Sequence, residues 1–295
     1  MKVLTIGSMN IDYVYSVDHI VQPGETQTTG GMNVFLGGKG INQSMAVAKA
    51  GAEVYHCGFI GPDGEMFIDA CREYGVNSDY IRKIDEKTGH TIIQVDKNAQ
   101  NCILLYGGAN QCLTEEFVDE VIGKFEKGDI LLLQNEVNLL PYIINKAYEK
   151  GLTIALNPSP FNESLAECDM SKIGIFLLNE VEGEQITGEK APDAILDKLQ
   201  ELYPDAQIVL TLGKEGAVYA YKSERYTQPI FKVQAVDTTA AGDTFTGYFL
   251  AGIIDGMAIP DVLKMSAKAS SIAVTRNGAV QSIPFRKEVE EALKM

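Results

Sequence analysis

One stretch in the last quarter of the chain combines residue types that could transfer a phosphate. Residues 237–245 read Asp-Thr-Thr-Ala-Ala-Gly-Asp-Thr-Phe. Phe245, Phe249 and Ile253 then recur at intervals of four, which predicts a helix that begins inside this stretch. Its uncovered N–H groups and its dipole would bind an anion. Asp243, at the mouth of that anion site, could take a proton from an attacking hydroxyl. An ordinary helix cap on a tight turn is the plainer alternative.

A second stretch, residues 37–43, reads Gly-Gly-Lys-Gly-Ile-Asn-Gln and opens another predicted helix. It is not a P-loop, because Asn33 stands where the first glycine belongs and Gly40 stands where Ser or Thr belongs. Its glycines would let a ligand approach the backbone closely. Lys39 and Asn42 would add polar contacts on the first turn of the helix.

Polar side chains follow the buried strands that the sequence predicts. Asn10 and Asp12 come just after the strand Val3–Ile6, in a stretch that lacks two glycines of a dinucleotide-binding fingerprint. Similar groups end four later strands, at residues 134–136, 157–160, 179–182 and 211–216. The carboxyl ends of parallel strands meet at one edge of an open α/β sheet, where ligands bind. Each group could also be a helix cap or a turn.

The last predicted helix, over residues 259–276, ends at a glycine stop that includes Gly278. Helix-end carbonyl groups without partners are hard oxygen ligands, which suit a monovalent or divalent cation. The sequence therefore predicts a candidate cation site at residues 273–279 and Ser282. An ordinary glycine cap is the alternative.

Between these stretches, short apolar strands alternate regularly with helices. This rhythm predicts right-handed crossovers and a mainly parallel sheet covered on both faces, a three-layer α/β/α sandwich in one domain, residues 1–295. Residues of about 13–36 and 88–107 break the rhythm and predict four short strands, two of them joined by a turn at 96–100. We expect these strands to form a small β-sheet lid that excludes water from the site.

Composition argues against several classes of partner. The chain carries a net charge of −15 and no basic stripe, so we expect it to bind neither nucleic acid nor an anionic membrane. No apolar run approaches the ~20 residues of a membrane span, and the first residues predict a core strand and not an export signal, which favours the cytoplasm. The five cysteines and three histidines are scattered, so neither a disulfide framework nor a zinc site is indicated.

The stretches at 37–43 and 237–245 resemble the two signatures of the ribokinase-like (PfkB) carbohydrate kinase family, and the likeness runs along the whole chain. Lys39 and the second stretch look more like the members that phosphorylate ribose than like those for fructose, fructose phosphate or adenosine. One departure is Tyr248, where the family usually has alanine or glycine. The resemblance implies a kinase that uses ATP to phosphorylate the 5-hydroxyl of D-ribose.

The resemblance also implies a role for each candidate residue. Asp243 would be the catalytic base beside the sugar, and the N–H groups of Ala240, Ala241 and Gly242 would form the anion hole. The implied sugar-binding residues are Asn10, Asp12, Gly38, Lys39, Gly40, Asn42 and Glu136. The implied nucleotide-binding residues, besides Gly242, are Asn179, Glu182, Thr211, Gly213 and Gly216. Glu182 would organise water around Mg²⁺. The positions implied for a K⁺ activator are Asp237, Thr239, Ala273, Arg276, Gly278 and Ser282.

In this family the lid also forms the dimer contact, so the resemblance implies a homodimer. Two alternatives stay open. One is a kinase of the same fold for 2-deoxyribose, a nucleoside such as pseudouridine, or a ketohexose. The other is a non-catalytic sugar or nucleotide sensor, which would bind its ligand without turnover.

Overall fold

The computed structural model describes residues 1–98 and 100–294, so Ala99, in the turn predicted at 96–100, lies outside the described residues. The strands in chain order are β1 Val3–Ile6, β2 Asn10–Ser16, β3 Gly31–Gly37, β4 Val54–Ile60, β5 Asn77–Lys83, β6 Gly89–Val95, β7 Asn101–Tyr106, β8 Ile130–Gln134, β9 Thr153–Asn157, β10 Ile175–Asn179, β11 Gln207–Thr211, β12 Ala217–Tyr221 and β13 Glu224–Gln228. The helices are α1 Lys39–Lys49, α2 Glu65–Tyr74, α3 Glu115–Ile122, α4 Leu140–Lys150, α5 Glu180–Thr187, α6 Pro192–Leu202, α7 Ala241–Ile254, α8 Ile259–Ala273 and α9 Arg286–Lys294.

The main sheet has the strand order β13-β12-β11-β10-β9-β8-β1-β4-β5. Its pairs from β11 to β5 are parallel, whereas β12 and β13 extend one edge in antiparallel fashion. Strands such as β8, in which every residue is buried, need cover on both faces. Helices α1, α7 and α8 cover one face, and α3, α4 and α6 cover the other. The predicted α/β/α sandwich is confirmed.

The lid is a second, four-stranded sheet with the order β3-β2-β6-β7. Strands β2 and β6 pair in parallel, and the other two pairs are antiparallel. The predicted small sheet is therefore confirmed, but β2 begins at Asn10, before the expected start near residue 13. As a consequence, Asn10 and Asp12 lie on a lid strand and not in a loop at the end of β1.

Several edge elements differ from the prediction. The helix expected to reach Arg276 ends at Ala273, where the chain turns. Strands β5 and β13 were not predicted; they lie at the two edges of the main sheet and are only partly buried, so their apolar pattern is weak. Strand β12 and helix α9 were also missed. Among the described residues, no helix is both long and apolar enough to cross a lipid bilayer.

Candidate active site

A cavity of about 1330 Å³ lies between the main sheet and the lid. Its walls include the carboxyl ends of β9, β10 and β11, one face of the lid, the first turn of α1 and the start of α7. Parallel strands bring their carboxyl ends to one edge, so polar groups that are far apart in the chain meet here. A cavity is therefore present at the sheet edge where the sequence predicts a ligand crevice.

Asp243 lies on the first turn of α7, lines this cavity and is 9% exposed. Its carboxylate accepts two hydrogen bonds from α1. Asn42 Nδ2 lies 3.1 Å from Oδ2, and Gln43 Nε2 lies 2.9 Å from Oδ1. These bonds fix the orientation of the carboxylate, and each oxygen keeps a further lone pair that can accept a proton.

Helices α1 and α7 can approach this closely because Gly247, one turn after Asp243, has no side chain. A Cβ atom at position 247 would collide with the Cβ of Ala46, which lies one turn after Asn42. A glycine inside a helix costs about 0.5–1 kcal/mol relative to alanine. The close packing of the two helices, which brings Asn42 to Asp243, accounts for a glycine at this position.

The turn before α7 presents backbone N–H groups. Ala240 precedes the helix with a φ of 58°, a left-handed conformation that costs a non-glycine residue about 1–2 kcal/mol. Within the described part of the chain, the N–H groups of Ala240 and Gly242 have no protein partner. The N–H of Ala241 donates to the carbonyl of Thr238 at 3.2 Å. Two of the three predicted anion-hole groups are therefore free, and the third is engaged within the turn.

Lys39, at the start of α1, is attracted by three carboxylates, those of Asp243, Glu136 and Glu182. Burial acts to lower the pKa of Lys39, but these carboxylates outweigh it and raise the pKa, so the side chain stays charged. Glu136 accepts hydrogen bonds from the Lys39 backbone N–H, at 3.0 Å, and from the Ser8 hydroxyl. Burial raises the pKa of Glu136, while those bonds and the Lys39 charge act against the rise.

Asn10 and Asp12 face the cavity from β2. Asn110 donates from Nδ2 to Asn10 Oδ1 at 2.8 Å, and it accepts the Met9 N–H at 3.0 Å. The Thr91 hydroxyl donates to Asp12 Oδ1 at 2.6 Å. Burial raises the pKa of Asp12, and the bond from Thr91 opposes that rise. Both predicted sugar-binding side chains are thus held in place by protein groups.

The side-chain oxygen of Asn42 is unpaired: Oδ1 is buried and has no hydrogen-bond partner among the described residues. Such an unpaired buried acceptor costs about 1–3 kcal/mol, and the hydroxyl of a bound ligand would satisfy it. Gly38 also lines the cavity. Gly40 is not part of the cavity wall; it packs against the backbone of Ser8, where a Cβ would not fit.

Asn179 and Glu182 form a capping box at the start of α5. Asn179 Oδ1 accepts the Glu182 N–H at 3.0 Å, and the Glu182 carboxylate accepts the N–H and Nδ2 of Asn179 at 2.9 and 3.1 Å. Both residues line the cavity, as does Thr211. Gly213 and Gly216 lie outside its wall; Gly216, with a φ of 111°, packs against the backbone of Gln228.

Three of the six predicted cation-binding positions line the cavity. Asp237 accepts the N–H groups of Thr239 and Gly278 at 2.8 and 3.0 Å, and all three residues line the cavity. Burial acts to raise the pKa of Asp237, but the hydrogen bonds that Thr239 and Gly278 donate outweigh it and lower the pKa. The other three positions, Ala273, Arg276 and Ser282, lie outside the cavity wall.

Two of the carbonyl groups at the end of α8, those of Ala273 and Val274, have partners within the protein. The carbonyl of Val274 accepts the N–H groups of Val236 and Asp237 at 2.7 and 3.2 Å, and that of Ala273 accepts the Arg276 N–H at 3.0 Å. Within the described residues, the carbonyls of the next four residues, 275–278, accept no hydrogen bond, so the cation site stays a prediction. In the described residues no group of three or more His, Cys, Asp or Glu side chains could hold a metal ion.

Comparison with known proteins identifies the family. The family described as pfkB family carbohydrate kinase matches residues 1–286. The chain belongs to this family. A ribokinase from Haemophilus influenzae is 36% identical over 303 residues, which cover 99% of both chains. A deoxyribokinase from Salmonella typhi is 30% identical over 307 residues, which cover 100% of this chain and 99% of that protein.

A solved structure gives a further likeness. The Arabidopsis thaliana ribokinase complexed with ribose and ATP has a TM-score of 0.87 and 28% identity, and the match covers 100% of this chain and 99% of that one. The predicted fold and kinase class are confirmed by membership of the pfkB carbohydrate kinases.

Four residues of this pfkB kinase site were not assigned a role from the sequence. Ser8, Thr91 and Asn110 support Glu136, Asp12 and Asn10, and Gln43 holds Asp243. Gln43 lies inside the glycine-rich stretch at residues 37–43, so its position could have indicated a role in the site. No local sequence pattern indicated a role for the other three, because their partners lie 79 to 128 residues away in the chain.

Proposed function

We propose that the chain transfers the γ-phosphoryl group of ATP to the 5-hydroxyl of D-ribose and releases ribose 5-phosphate and ADP. The observation that carries this proposal is the Asp243 carboxylate, which is held by Asn42 and Gln43 and faces a cavity at the start of a helix. The family and the ribokinases among its relatives support a sugar and ATP as the two substrates.

In the proposed complex, ribose lies between the lid and α1. Asp12 accepts hydrogens from ring hydroxyls, Lys39 donates, and the unpaired Oδ1 of Asn42 accepts one more hydrogen bond. Asn10, Gly38 and Glu136 complete the wall on this side. A site built to bond hydroxyls rejects analogues that lack one, because a buried partner is then left unpaired.

The proposed reaction is an in-line displacement. Asp243 accepts the proton of the 5-hydroxyl, the hydroxyl oxygen bonds to the γ-phosphorus, and the bond from that phosphorus to ADP breaks. The N–H groups of Ala240 and Gly242 and the dipole of α7 offset the charge on the transferred oxygens. The N–H of Ala241 joins them once it leaves the Thr238 carbonyl.

Mg²⁺ and K⁺ belong to the proposal as well. The carboxylate of Glu182 lines the cavity beside Asn179 and offers the hard oxygens that suit the water shell of Mg²⁺. When bound, Mg²⁺ would neutralise charge on the ATP phosphates. For K⁺, Asp237 is the fitting ligand, because its low pKa keeps it charged beside Thr239 and Gly278.

The outer face of the lid supports a homodimer. Val34, Tyr13, Ile92 and Leu104 are register partners, so they form one apolar row across the four strands. Their neighbours on β2, β3, β6 and β7 line the cavity, so this row lies on the opposite face. Exposed apolar rows of this kind mark interaction surfaces. We propose that a second copy of the chain covers this row. We also propose that the protein works in the cytoplasm, because ATP is available there.

The second candidate is a kinase for 2-deoxyribose, which the Salmonella typhi deoxyribokinase favours. A panel of D-ribose, 2-deoxy-D-ribose, pseudouridine and D-fructose with ATP, followed by ADP release, separates these substrates. We expect ribose to have the highest kcat/KM, with 2-deoxyribose lower by at least about tenfold because one hydroxyl partner is lost. Equal or better turnover of 2-deoxyribose would assign the second function, and binding without ADP release would indicate a sensor.

A further inference from the structure

Lys49, at the end of α1, is a buried cation that the proposed reaction does not use. It is 4% exposed, and its Nζ donates to the carbonyls of Val280 and Ile283 at 2.7 and 3.0 Å. The ring centroids of Tyr74 and Phe285 lie 4.2 and 5.2 Å from Nζ, close enough for cation–π contacts. The ammonium group is thus enclosed by two carbonyls and two aromatic faces.

The charge on Lys49 is retained at neutral pH. Burial lowers the pKa of Lys49 to about 8, which still leaves most of the amine protonated at pH 7. The charged groups that act on it are Glu73 from α2, Arg276 after α8 and Glu288 from α9. Glu73 and Glu288 favour the ammonium form, and Arg276 opposes it.

The carbonyls that Lys49 binds belong to the loop at residues 277–283, here called the C-terminal loop. Asn277, Gly278 and Ala279 of this loop line the cavity. The Gly278 N–H donates to Asp237 at 3.0 Å, so the loop touches the turn that leads to the anion site at Ala240. Behind this wall, Val280 and Ile283 are fully buried, and Lys49 bonds their carbonyls directly.

We propose that Lys49 is a positioning residue for the nucleotide: it fixes the C-terminal loop in the shape that forms the ATP-facing wall of the cavity. The inference rests on the proposed function in placing ATP beside this loop. Lys49 lies ten residues after Lys39, about 15 Å further along the helix axis, so it reaches the loop without touching the sugar side. Helix α1 then serves both substrates: its first turn contacts ribose, and its last turn holds the loop that forms the nucleotide wall.

Replacing Lys49 by methionine tests the inference, because Met keeps most of the volume but leaves both carbonyls unpaired. We expect the variant to bind ADP about tenfold more weakly by calorimetry, because the loop loses both hydrogen bonds that Lys49 donates to it. Ribose binding to the same sample should stay within about twofold. Lys49→Arg, which retains charge and donors, should recover most of the ADP affinity.

The control is Lys146→Met on α4, which covers the opposite face of the main sheet from α1 and the loop. Its Nζ also lies over an aromatic ring, 5.2 Å from the ring centroid of Tyr142. It should leave ADP binding unchanged. If Lys49→Met does not fold, Tyr74→Leu, which removes one aromatic face, should weaken ADP binding alone by a smaller factor. Unchanged ADP affinity in the folded variant, or equal losses for ADP and ribose, would overturn the inference.

The readout separates this inference from the proposed function, because ADP binding needs no turnover. If the unaltered protein binds ADP but does not phosphorylate ribose, the proposed function fails while the Lys49 test still applies. If turnover of ribose is normal and Lys49→Met binds ADP normally, only the positioning role is lost.

Discussion

The two walls of the cavity are built differently. The wall that faces the proposed sugar consists of buried side chains such as Asn10 and Asn42, which bond to groups far away in the chain. The wall that faces the proposed phosphates includes residues 235–242, most of them exposed, and presents backbone N–H groups. The sugar wall is therefore arranged before any ligand binds, whereas the phosphate wall presents N–H groups on an exposed turn.

This difference matches what each substrate requires. A sugar is recognised by the directions of its hydroxyl groups, so its partners must be rigid side chains. A phosphoryl group carries charge on several oxygens, and backbone N–H groups at a helix start recognise it without regard to sequence detail. Asp243 lies where the walls meet: α7 carries it from the phosphate side, and α1 holds it from the sugar side.

The largest expected effect comes from Asp243, which joins the walls. Asp243→Asn keeps the shape but removes the proton acceptor, so kcat should fall about a thousandfold. Calorimetry should show ADP affinity within about threefold of the unaltered protein, since the N–H groups of the turn remain. Near-normal turnover would defeat the assignment of Asp243 as the base.

Asp12→Asn should affect the sugar wall alone. The loss of a charged acceptor for ring hydroxyls should raise KM for ribose by about ten- to a hundredfold, with KM for ATP nearly unchanged. Steady-state kinetics with each substrate varied in turn measures both constants. Asp18→Asn, an exposed change just after β2 on the lid, is the control and should alter neither. A matching rise in KM for ATP would show that the walls are not independent.

Monovalent cations should affect the phosphate wall alone. K⁺ should raise kcat several-fold over Na⁺ or a bulky organic cation, and Asp237→Ala should abolish that difference while KM for ribose stays constant. Initial rates at constant ionic strength in the three chloride salts measure the effect. Equal rates in all three salts would contradict the proposed role of K⁺ as an activator.

The smallest expected effect is a shift in pH dependence on the sugar side. Thr91 donates to the ionised form of Asp12 and so holds its pKa down against burial. Thr91→Val should therefore raise the pKa of Asp12, and the acidic fall in kcat/KM for ribose should move to higher pH by about one unit or less. The profile for ATP should not move. No shift, or a shift to lower pH, would contradict the role given to Thr91.

The sequence predicted the two walls unequally. The helix start at Asp243 and the glycine-rich start of α1 depend on local patterns, so both could be located from a few neighbouring residues. The hydrogen bond from Asn110 to Asn10 could not be predicted in this way, because it depends on how the lid packs against the main sheet. Likewise, the sequence did not show that Val236 and Asp237 fold back and pair with the carbonyl of Val274, a contact between distant segments.

Lys49 illustrates the same limit. In the sequence, Lys49 is a basic residue near the end of an amphipathic helix, a common position because the positive charge interacts favourably with the helix dipole. Only the packing of α2, α9 and the C-terminal loop around it encloses the ammonium group.

The most direct test of the account is to identify the product by ³¹P NMR after mixing the purified protein with D-ribose and MgATP. The account predicts one new phosphomonoester signal, that of ribose 5-phosphate, formed in step with ADP and about a thousandfold more slowly with Asp243→Asn. Phosphate on another ribose hydroxyl, or release of inorganic phosphate regardless of sugar, would contradict it.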